Sequence, residues 1–398
     1  MGSVASGASG EAQGQEAEHA RTACEVTIVA HDIGSVRGME RQISELVLGL
    51  TRLGHRVTLI ARTCELPPRA EVDFHRVRGP GRPFVIAYPW FVLAGTLAVR
   101  RWRRGVVQAT GAIVLNRVEV IAVHYCHQVA SATPSRSTWI YRAHVKLAGT
   151  LKKIGERVCF TVNHPTALVC VSEGVAQEIR EHYPALAART LTIHNGIDTR
   201  DFAPGVHVQQ ARAMRSVLGI GAARLVAAFV ASEWERKGLE ALILALALAP
   251  EWDLVVAGGG DEARYRALAE ALGVGGAVHW LGVTKEVEVV YELADAFVLP
   301  SSYETFSLVT FEAAAAGLPI LVTPVNGVRE LISDGQNGFL ITREPEVIGE
   351  RLSQLAADPA LRVRLGRAAR SSALEFSAEK MVASHHDLYE RLAVASPR

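Results

Sequence analysis

Apolar residues in this chain recur in short unbroken runs, separated by stretches where they fall three and four positions apart. Runs of the first kind read as strands buried on both faces, and stretches of the second as amphipathic helices. The first series opens with Val26-Thr27-Ile28-Val29-Ala30, passes a glycine-containing loop and enters a helix predicted near Met39–Leu53. Gly54 suits the end of that helix, and Arg56-Val57-Thr58-Leu59-Ile60 is the next strand. Further strands are predicted at Val106-Val107, Val118–Val123, Ala167–Val171 and Leu191-Thr192-Ile193, with helices over Phe91–Arg104, Trp139–Asn163 and Gly174–Tyr183.

A second series is cleaner. Strands at Leu225–Val230, Leu254-Val255-Val256, Val278–Leu281, Ala296–Leu299 and Ile320–Val322 alternate with helices over Leu239–Ala249, Asp261–Leu272, Lys285–Ala294 and Ser307–Ala316. Such alternation predicts an α/β protein with parallel sheets. The two series meet around Asp198–Gly219, where Pro204 and Gly205 lie in a polar segment suited to a linker. Met381–Leu392 reads as one more helix. The expected organisation is a disordered segment over residues 1–24, a first domain over 25–205, a second over 206–375 and a C-terminal helix within 376–398.

With 398 residues, each domain can bury a substantial core. A net charge of +1 gives no global field for nucleic acid, so none is expected as a partner. Five scattered cysteines form no Cys-x-x-Cys pair and read as reduced thiols of a cytoplasmic protein. The first residues lack the apolar stretch of a signal peptide. The near-apolar run Phe84–Val99 contains Pro89 and Gly95 and falls short of the roughly 18 residues that span a bilayer, so a soluble or peripheral protein is expected.

Candidate chemistry concentrates in Ser301-Ser302-Tyr303-Glu304-Thr305-Phe306-Ser307-Leu308-Val309-Thr310-Phe311-Glu312, which runs on into Ala316-Gly317-Leu318-Pro319. It places carboxylates Glu304 and Glu312 on either side of a predicted helix start. Backbone N–H groups around Phe306, Ser307, Leu308 and Val309 would carry partial positive charge suited to a phosphate. Arg236-Lys237 follows the first strand of the second series, where open α/β sheets bind ligands. Alone, the pair reads equally as an exposed basic dipeptide; together with Glu304 and Glu312 it points to a site. Gly258-Gly259-Gly260 formally matches a dinucleotide turn, but the ribose-binding acid expected about 20 residues on is absent from Val274–Val283. A tight turn that lets backbone approach a ligand, or a packing turn, fits the glycines.

In the first half, His124 and His127 end an apolar strand, where an imidazole can contact a sugar hydroxyl or carry a proton. Cys126 and His127 are neighbours on a strand and point apart, which argues against a nucleophilic pair. No Asp-x-Asp occurs, and His385-His386-Asp387 reads as a solvated face of the tail helix, so no metal site is expected. Arg100-Arg101-Trp102-Arg103-Arg104, with Trp90 and Phe91 nearby, reads as a plain surface helix or as an interfacial face for membrane or acceptor.

These motifs resemble the family-4 retaining glycosyltransferases. Glu304 and Glu312 match the E-x7-E pair, Arg236-Lys237-Gly238 the phosphate-binding segment, Asn195-Gly196-Ile197-Asp198 the N-G-[IV]-D segment, and Gly38-Met39-Glu40-Arg41 the G-G-x-E-R stretch. Arg37 replaces the first glycine of that stretch, and Thr305 and Ser307 replace glycines of E-G-F-G. The likeness runs from about Val26 to the C-terminal helix. It implies two Rossmann-like domains facing across a cleft, the GT-B architecture, with the C-terminal helix crossing back to the first domain. It implies a nucleotide-diphosphate sugar as donor substrate, no other cofactor, and a glycan, lipid-linked glycan or metabolite as acceptor. Glu312 would hold the ribose, Gly282-Val283 the base, Glu304 the sugar, and Arg236 and Lys237 the diphosphate. His127 or His124 would stand at the reacting centre, and Gly38 at the loop facing the donor. Competing readings are a nucleotide-sugar 2-epimerase of the same architecture, a glycosidase using both carboxylates, and a silent sugar-nucleotide-binding protein.

Overall fold

A computed structural model of the chain describes residues 23–34, 38–67, 70–129 and 139–395, except the side chains of 139–142. The expected disordered segment, all but its last two residues, and Arg37 lie outside the described residues. Two parallel sheets organise the rest. The first contains β1 (Glu25–Val29), β2 (Arg56–Ala61), β3 (Val72–Arg76), β4 (Val106–Thr110), β5 (Val120–Val123), β6 (Ala167–Cys170) and β7 (Thr190–Thr192), in the order β3-β2-β1-β4-β5-β6-β7. The second contains β8 (Leu225–Val230), β9 (Trp252–Ala257), β10 (Val278–Gly282), β11 (Ala296–Leu299), β12 (Ile320–Val322) and β13 (Phe339–Leu340), in the order β10-β9-β8-β11-β12-β13.

Both orders reverse direction beside their first strand. In the second sheet β8 pairs with β9 on one side and with β11 on the other. Connections leaving β8 and β11 run to opposite sides, which opens a crevice at the carboxyl ends of these two strands. The central strands are buried along their length, as their unbroken apolar runs require.

The helix Ala378–Ala395 returns to the first sheet. Met381, Val382, Leu388, Tyr389 and Leu392 join Val26, Ile28, Leu46, Val47 and Leu50 in one core, and the Tyr389 hydroxyl donates to Gln108 Oε1 at 2.7 Å. This crossing corrects the reading of His385 and His386 as a solvated face: they are 6% and 8% exposed, pressed under the helix against the first domain. The crossing also explains Asn195-Gly196-Ile197-Asp198. The backbone of Ile197 bonds to Phe376 and Ala378, and a Cβ on Gly196 would sit 2.4 Å from Ala378 Cα. Gln42 clamps the Gly196 peptide through two 2.8 Å hydrogen bonds.

Several elements differ from the reading of the sequence. The expected linker contains a helix, Val208–Val217. Arg236 and Lys237 lie on a one-turn helix, Trp234–Lys237, rather than in a loop. The helix expected over Phe91–Arg104 spans Phe84–Trp102, because Tyr88 and Phe91 are drawn into the core despite Pro89. At 19 residues and mean hydropathy 1.2 it is long and apolar enough to cross a membrane, correcting the expectation that this run falls short. Only 22% of it is buried.

Candidate active site

The crevice between β8 and β11 is built from backbone that only small residues fit. Gly238 has φ 85°, and a Cβ there would lie 2.2 Å from the Pro300 carbonyl oxygen. That contact brings the turn after β8 against the loop after β11. Ser302 N donates to the Arg236 carbonyl at 3.0 Å, and an Arg236 Nη1 hydrogen bond reaches the Tyr303 carbonyl. The result gathers three charges. Lys237 Nζ lies 2.5 Å from Glu304 Oε1, and Arg236 Nη1 lies 3.6 Å from the same oxygen. Glu304 is 7% exposed, and the two cations offset the cost of burying a carboxylate there. Arg236 Nε also holds Glu233 Oε2 at 2.6 Å.

The glycine turns after β9 and β10 border this group. Gly258 N donates to the Gly282 carbonyl at 2.7 Å, and Gly259 faces Val283. Gly260 packs on the Trp234 ring, one turn before Lys237. Gly282 has φ 65° with open space where a Cβ would be, and Val283 is 79% exposed, so this corner faces solvent.

The helix carrying the second carboxylate spans Leu308–Ala315. Ser307 precedes it at φ 71° and its hydroxyl meets the Thr310 hydroxyl at 2.8 Å, so its side chain does not cap the helix as a serine there would suggest. The amides of Leu308 and Val309 open the first turn, where no upstream carbonyl is in place to accept them. The Phe306 side chain is buried, 2% exposed and stacked 4.0 Å from Phe311. Among the described residues three non-glycines have positive φ: His164, Glu233 and Ser307. Two of the three border this crevice, where such strain, roughly 1–3 kcal/mol each, is characteristically kept.

Glu312 does not stand open to a ligand. It is 1% exposed, accepts from Arg41 of the first domain, and receives the Tyr291 hydroxyl at 3.1 Å. Gly38 lies one turn before Arg41, and a Cβ there would sit 3.1 Å from Leu308 Cδ1. The start of helix Gly38–Arg52 therefore faces the start of helix Leu308–Ala315 across the cleft.

Other first-domain groups bridge to the same loops. Ser172 Oγ donates to the Thr305 carbonyl at 2.7 Å. Glu178 accepts from Asn326 at 2.7 Å and from the Tyr303 hydroxyl at 3.4 Å. His194 meets Glu330 at 2.5 Å. Tyr125 lies 5.5 Å from Tyr303, ring to ring. The two histidines beside Tyr125 diverge in their surroundings. His127 lies 5.0 Å from the Tyr125 ring, and its backbone N donates to Glu156. Burial, reinforced by the nearby Lys152 charge, holds its pKa down to about 4, so the ring is neutral at physiological pH. His124 is likewise held near 4, chiefly by burial, with a smaller contribution from His385 of the crossing helix. Cys126 between them is buried and its thiol is pushed up to about 11, chiefly by burial.

Arg236, Lys237 and Glu304 thus come together, bordered by Gly258, Gly259, Gly282 and Val283. Glu312, Ser307, Leu308, Val309 and Gly38 form the cleft wall beside them. The sequence reading missed Glu233, Ser172, Glu178, Tyr291, Glu330 and the engagement of Arg41. Their partners lie far away in the chain or carry no motif, although His194 directly precedes Asn195-Gly196.

Two Rossmann-like sheets facing across a cleft, with the last helix returning to the first, define a GT-B glycosyltransferase fold. The chain matches the description "Glycosyl transferases group 1" over residues 211–372 and "Glycosyltransferase Family 4" over residues 36–201, and it belongs to the family-4 glycosyltransferases. It is similar to a D-inositol 3-phosphate glycosyltransferase of Corynebacterium jeikeium, 29% identical over 286 residues, covering 65% of this chain and 68% of that protein. In structure it is similar to WaaG, a glycosyltransferase involved in lipopolysaccharide biosynthesis, with TM-score 0.75 and 22% identity over 91% of this chain and 99% of the other. It is also similar to HepE of Anabaena in complex with UDP and glucose, with TM-score 0.70 and 16% identity over 92% of this chain and 99% of that one.

Proposed function

We propose that the protein transfers a sugar from a nucleoside-diphosphate sugar to an acceptor hydroxyl with retention of anomeric configuration. The observation that carries this reading is the convergence of Arg236, Lys237 and Glu304 at the second sheet's crevice, beside the opening turn of helix Leu308–Ala315. A diphosphate entering there meets two cations and a helix's positive end. Glu304 accepts from the sugar hydroxyls, and Gly282-Val283 leaves open space for the base. Glu312 takes the ribose, with Arg41 shifting or sharing its carboxylate.

In the reaction the bond from the anomeric carbon to phosphate breaks and the bond to the acceptor oxygen forms on the same face. The acceptor proton leaves with the departing phosphate. Arg236 and Lys237 balance the charge that develops on that phosphate, a term worth about 10²- to 10³-fold per donor in comparable sites. They supply the charge a metal would otherwise carry, and the reading assigns none to this step. His127, neutral in this pH range, orients the acceptor instead of removing its proton.

The acceptor side supports a peripheral contact with membrane. Ile86, Trp90, Leu93 and Leu97 form one exposed face of helix Phe84–Trp102. Leu147, Ile154, Val158 and Val162 are exposed on the neighbouring helix Trp139–Asn163. Arg100, Arg101, Arg103 and Arg104 flank the stripe, a composition suited to an anionic interface. Trp102 itself is engaged, stacked 4.0 Å from His75.

Purified protein should release nucleoside diphosphate from one member of a nucleotide-sugar panel. Lys237→Ala should lower that turnover at least about tenfold in protein that still folds, with a lowered melting temperature because buried Glu304 loses its nearer cation. Equal turnover in the folded variant rejects the assignment. A new epimeric sugar nucleotide formed without acceptor would replace transfer by epimerisation.

A further inference from the structure

Lys152 stands on the first-domain wall of the cleft, and the donor chemistry leaves its charge unused. It lies one turn before Glu156 in helix Trp139–Asn163, so the two side chains share a face. That face clamps the segment after β5. Glu156, 1% exposed, accepts from the His127 backbone N at 2.9 Å and from the Tyr183 hydroxyl at 2.7 Å. Lys153 Nζ donates to the Gln128 carbonyl at 3.3 Å, and Gln128 Nε2 donates to the Lys153 carbonyl at 3.2 Å. Lys152 is thereby set beside His127, with its ammonium 4.9 Å from the centre of the Phe84 ring. Phe84 in turn stacks on Tyr88 at 5.3 Å.

Lys152 is half-buried, and among the described residues its ammonium has neither a hydrogen bond nor an ion pair. The carboxylates around it are engaged elsewhere. Glu156 serves His127 and Tyr183. Glu233, whose charge reaches Lys152 from across the cleft, is held by Arg236 Nε at 2.6 Å. Burial lowers the Lys152 pKa, and the Glu233 charge opposes that shift without reversing it. A part-buried cation lacking a counter-charge carries a desolvation cost that a bound anion offsets.

We propose that Lys152 binds an anionic group of the acceptor, a phosphate or a carboxylate, and so selects charged acceptors over neutral ones. The inference rests on the transferase reading above and supplies the acceptor class that reading leaves open. Tyr125 links the two sides of the site: its ring lies 5.0 Å from His127 and 5.5 Å from Tyr303, the neighbour of Glu304. An acceptor hydroxyl oriented by His127 leaves the rest of that molecule along the first-domain wall, where Phe84 offers an apolar face and Lys152 a charge. Three N–H donors on a compact ammonium suit either anion, without the bidentate geometry an arginine would impose. A neutral acceptor leaves the cation unpaired, which is how a polar site rejects an analogue lacking the matching group. Arg236 and Lys237 stay with the donor, since both converge on Glu304 in the second domain.

The test titrates the full chain by calorimetry, with its best-binding nucleoside diphosphate present at saturation so that the donor-side cations are occupied. The soluble probes are glycerol, glycerol 3-phosphate and glycerate, and glucose, glucose 6-phosphate and glucuronate. Phosphatidylcholine vesicles with and without phosphatidic acid present the same phosphate on a lipid. The wild type should bind at least one anionic probe at least about tenfold more tightly than its neutral parent. Lys152→Met, which keeps the apolar stem over Phe84, should remove that preference, and Lys152→Arg should restore part of it. A Lys152-dependent preference among the soluble probes assigns the anion to a soluble acceptor, and one confined to the vesicles assigns it to a lipid acceptor. A preference that survives in Lys152→Met, or a wild type with no preference in either format, overturns the proposal. A wild type that binds nucleoside diphosphate yet shows no such preference loses this inference alone. One that binds no nucleoside diphosphate loses the transferase reading and this inference with it.

Discussion

Glu312 sits 1% exposed between Arg41 of the first domain and the Tyr291 hydroxyl of the second. A buried carboxylate that loses its cation retains the cost of desolvation, so Arg41→Ala should destabilise the protein by about 2 kcal/mol in denaturant unfolding. That figure is below the fully buried range because the Arg41 side chain is 32% exposed. Glu312→Gln removes the charge that Arg41 compensates. The double variant should therefore lose measurably less than the sum of the two single changes. Strict additivity would mean that the pair is not coupled. Arg236, Lys237, Glu304 and Glu312 were legible in the sequence because each belongs to a local motif whose spacing has a chemical meaning. Ser172, Glu178 and Glu330 were not, because their partners Thr305, Tyr303 and Glu173 lie more than 120 residues away in sequence. The occupancy of Glu312 by Arg41 was hidden for the same reason.

At the level of elements, the close approach of residues 195–198 to residues 376–378 sets how the chain crosses between domains. A Cβ on Gly196 would lie 2.4 Å from Ala378 Cα and 2.8 Å from its backbone N, neither of which can rotate away. Gly196→Ala should lower stability by about 1–3 kcal/mol. Gly149 is the counterpart: it lies within helix Trp139–Asn163 with nothing within 4 Å of its would-be Cβ. Gly149→Ala should raise stability by up to about 1 kcal/mol through helix propensity. Equal melting shifts for the two variants would contradict this account of the crossing. The central strands were readable because burial on both faces leaves an unbroken apolar run. Edge strand β3, Val72-Asp73-Phe74-His75-Arg76, is largely exposed and carries no such signal. Helix Phe84–Trp102 was read too short because Pro89 signals a break, whereas packing of Tyr88 and Phe91 holds the helix through it.

For the whole molecule, the Arg236–Lys237–Glu304 crevice lies in the second domain and the exposed apolar stripe on the first. Vesicles containing anionic lipid should cosediment with the protein at low salt, and less so at 0.5 M salt. Leu93→Glu together with Leu97→Glu should reduce that binding at least about tenfold, since each replaces an exposed apolar contact by a repelled charge. Equal sedimentation of the double variant would remove the stripe from the interface.

The central claim is that a nucleoside diphosphate lodges against Arg236 and Lys237 at the crevice between β8 and β11. Calorimetric titration of the wild type with UDP, GDP and ADP, repeated on Lys237→Ala, tests it most directly. At least one nucleotide should bind the wild type, and its affinity should fall at least about tenfold in the folded variant, matching loss of one close charge–phosphate contact. Binding that is absent for all three, or unchanged in Lys237→Ala, would contradict the account.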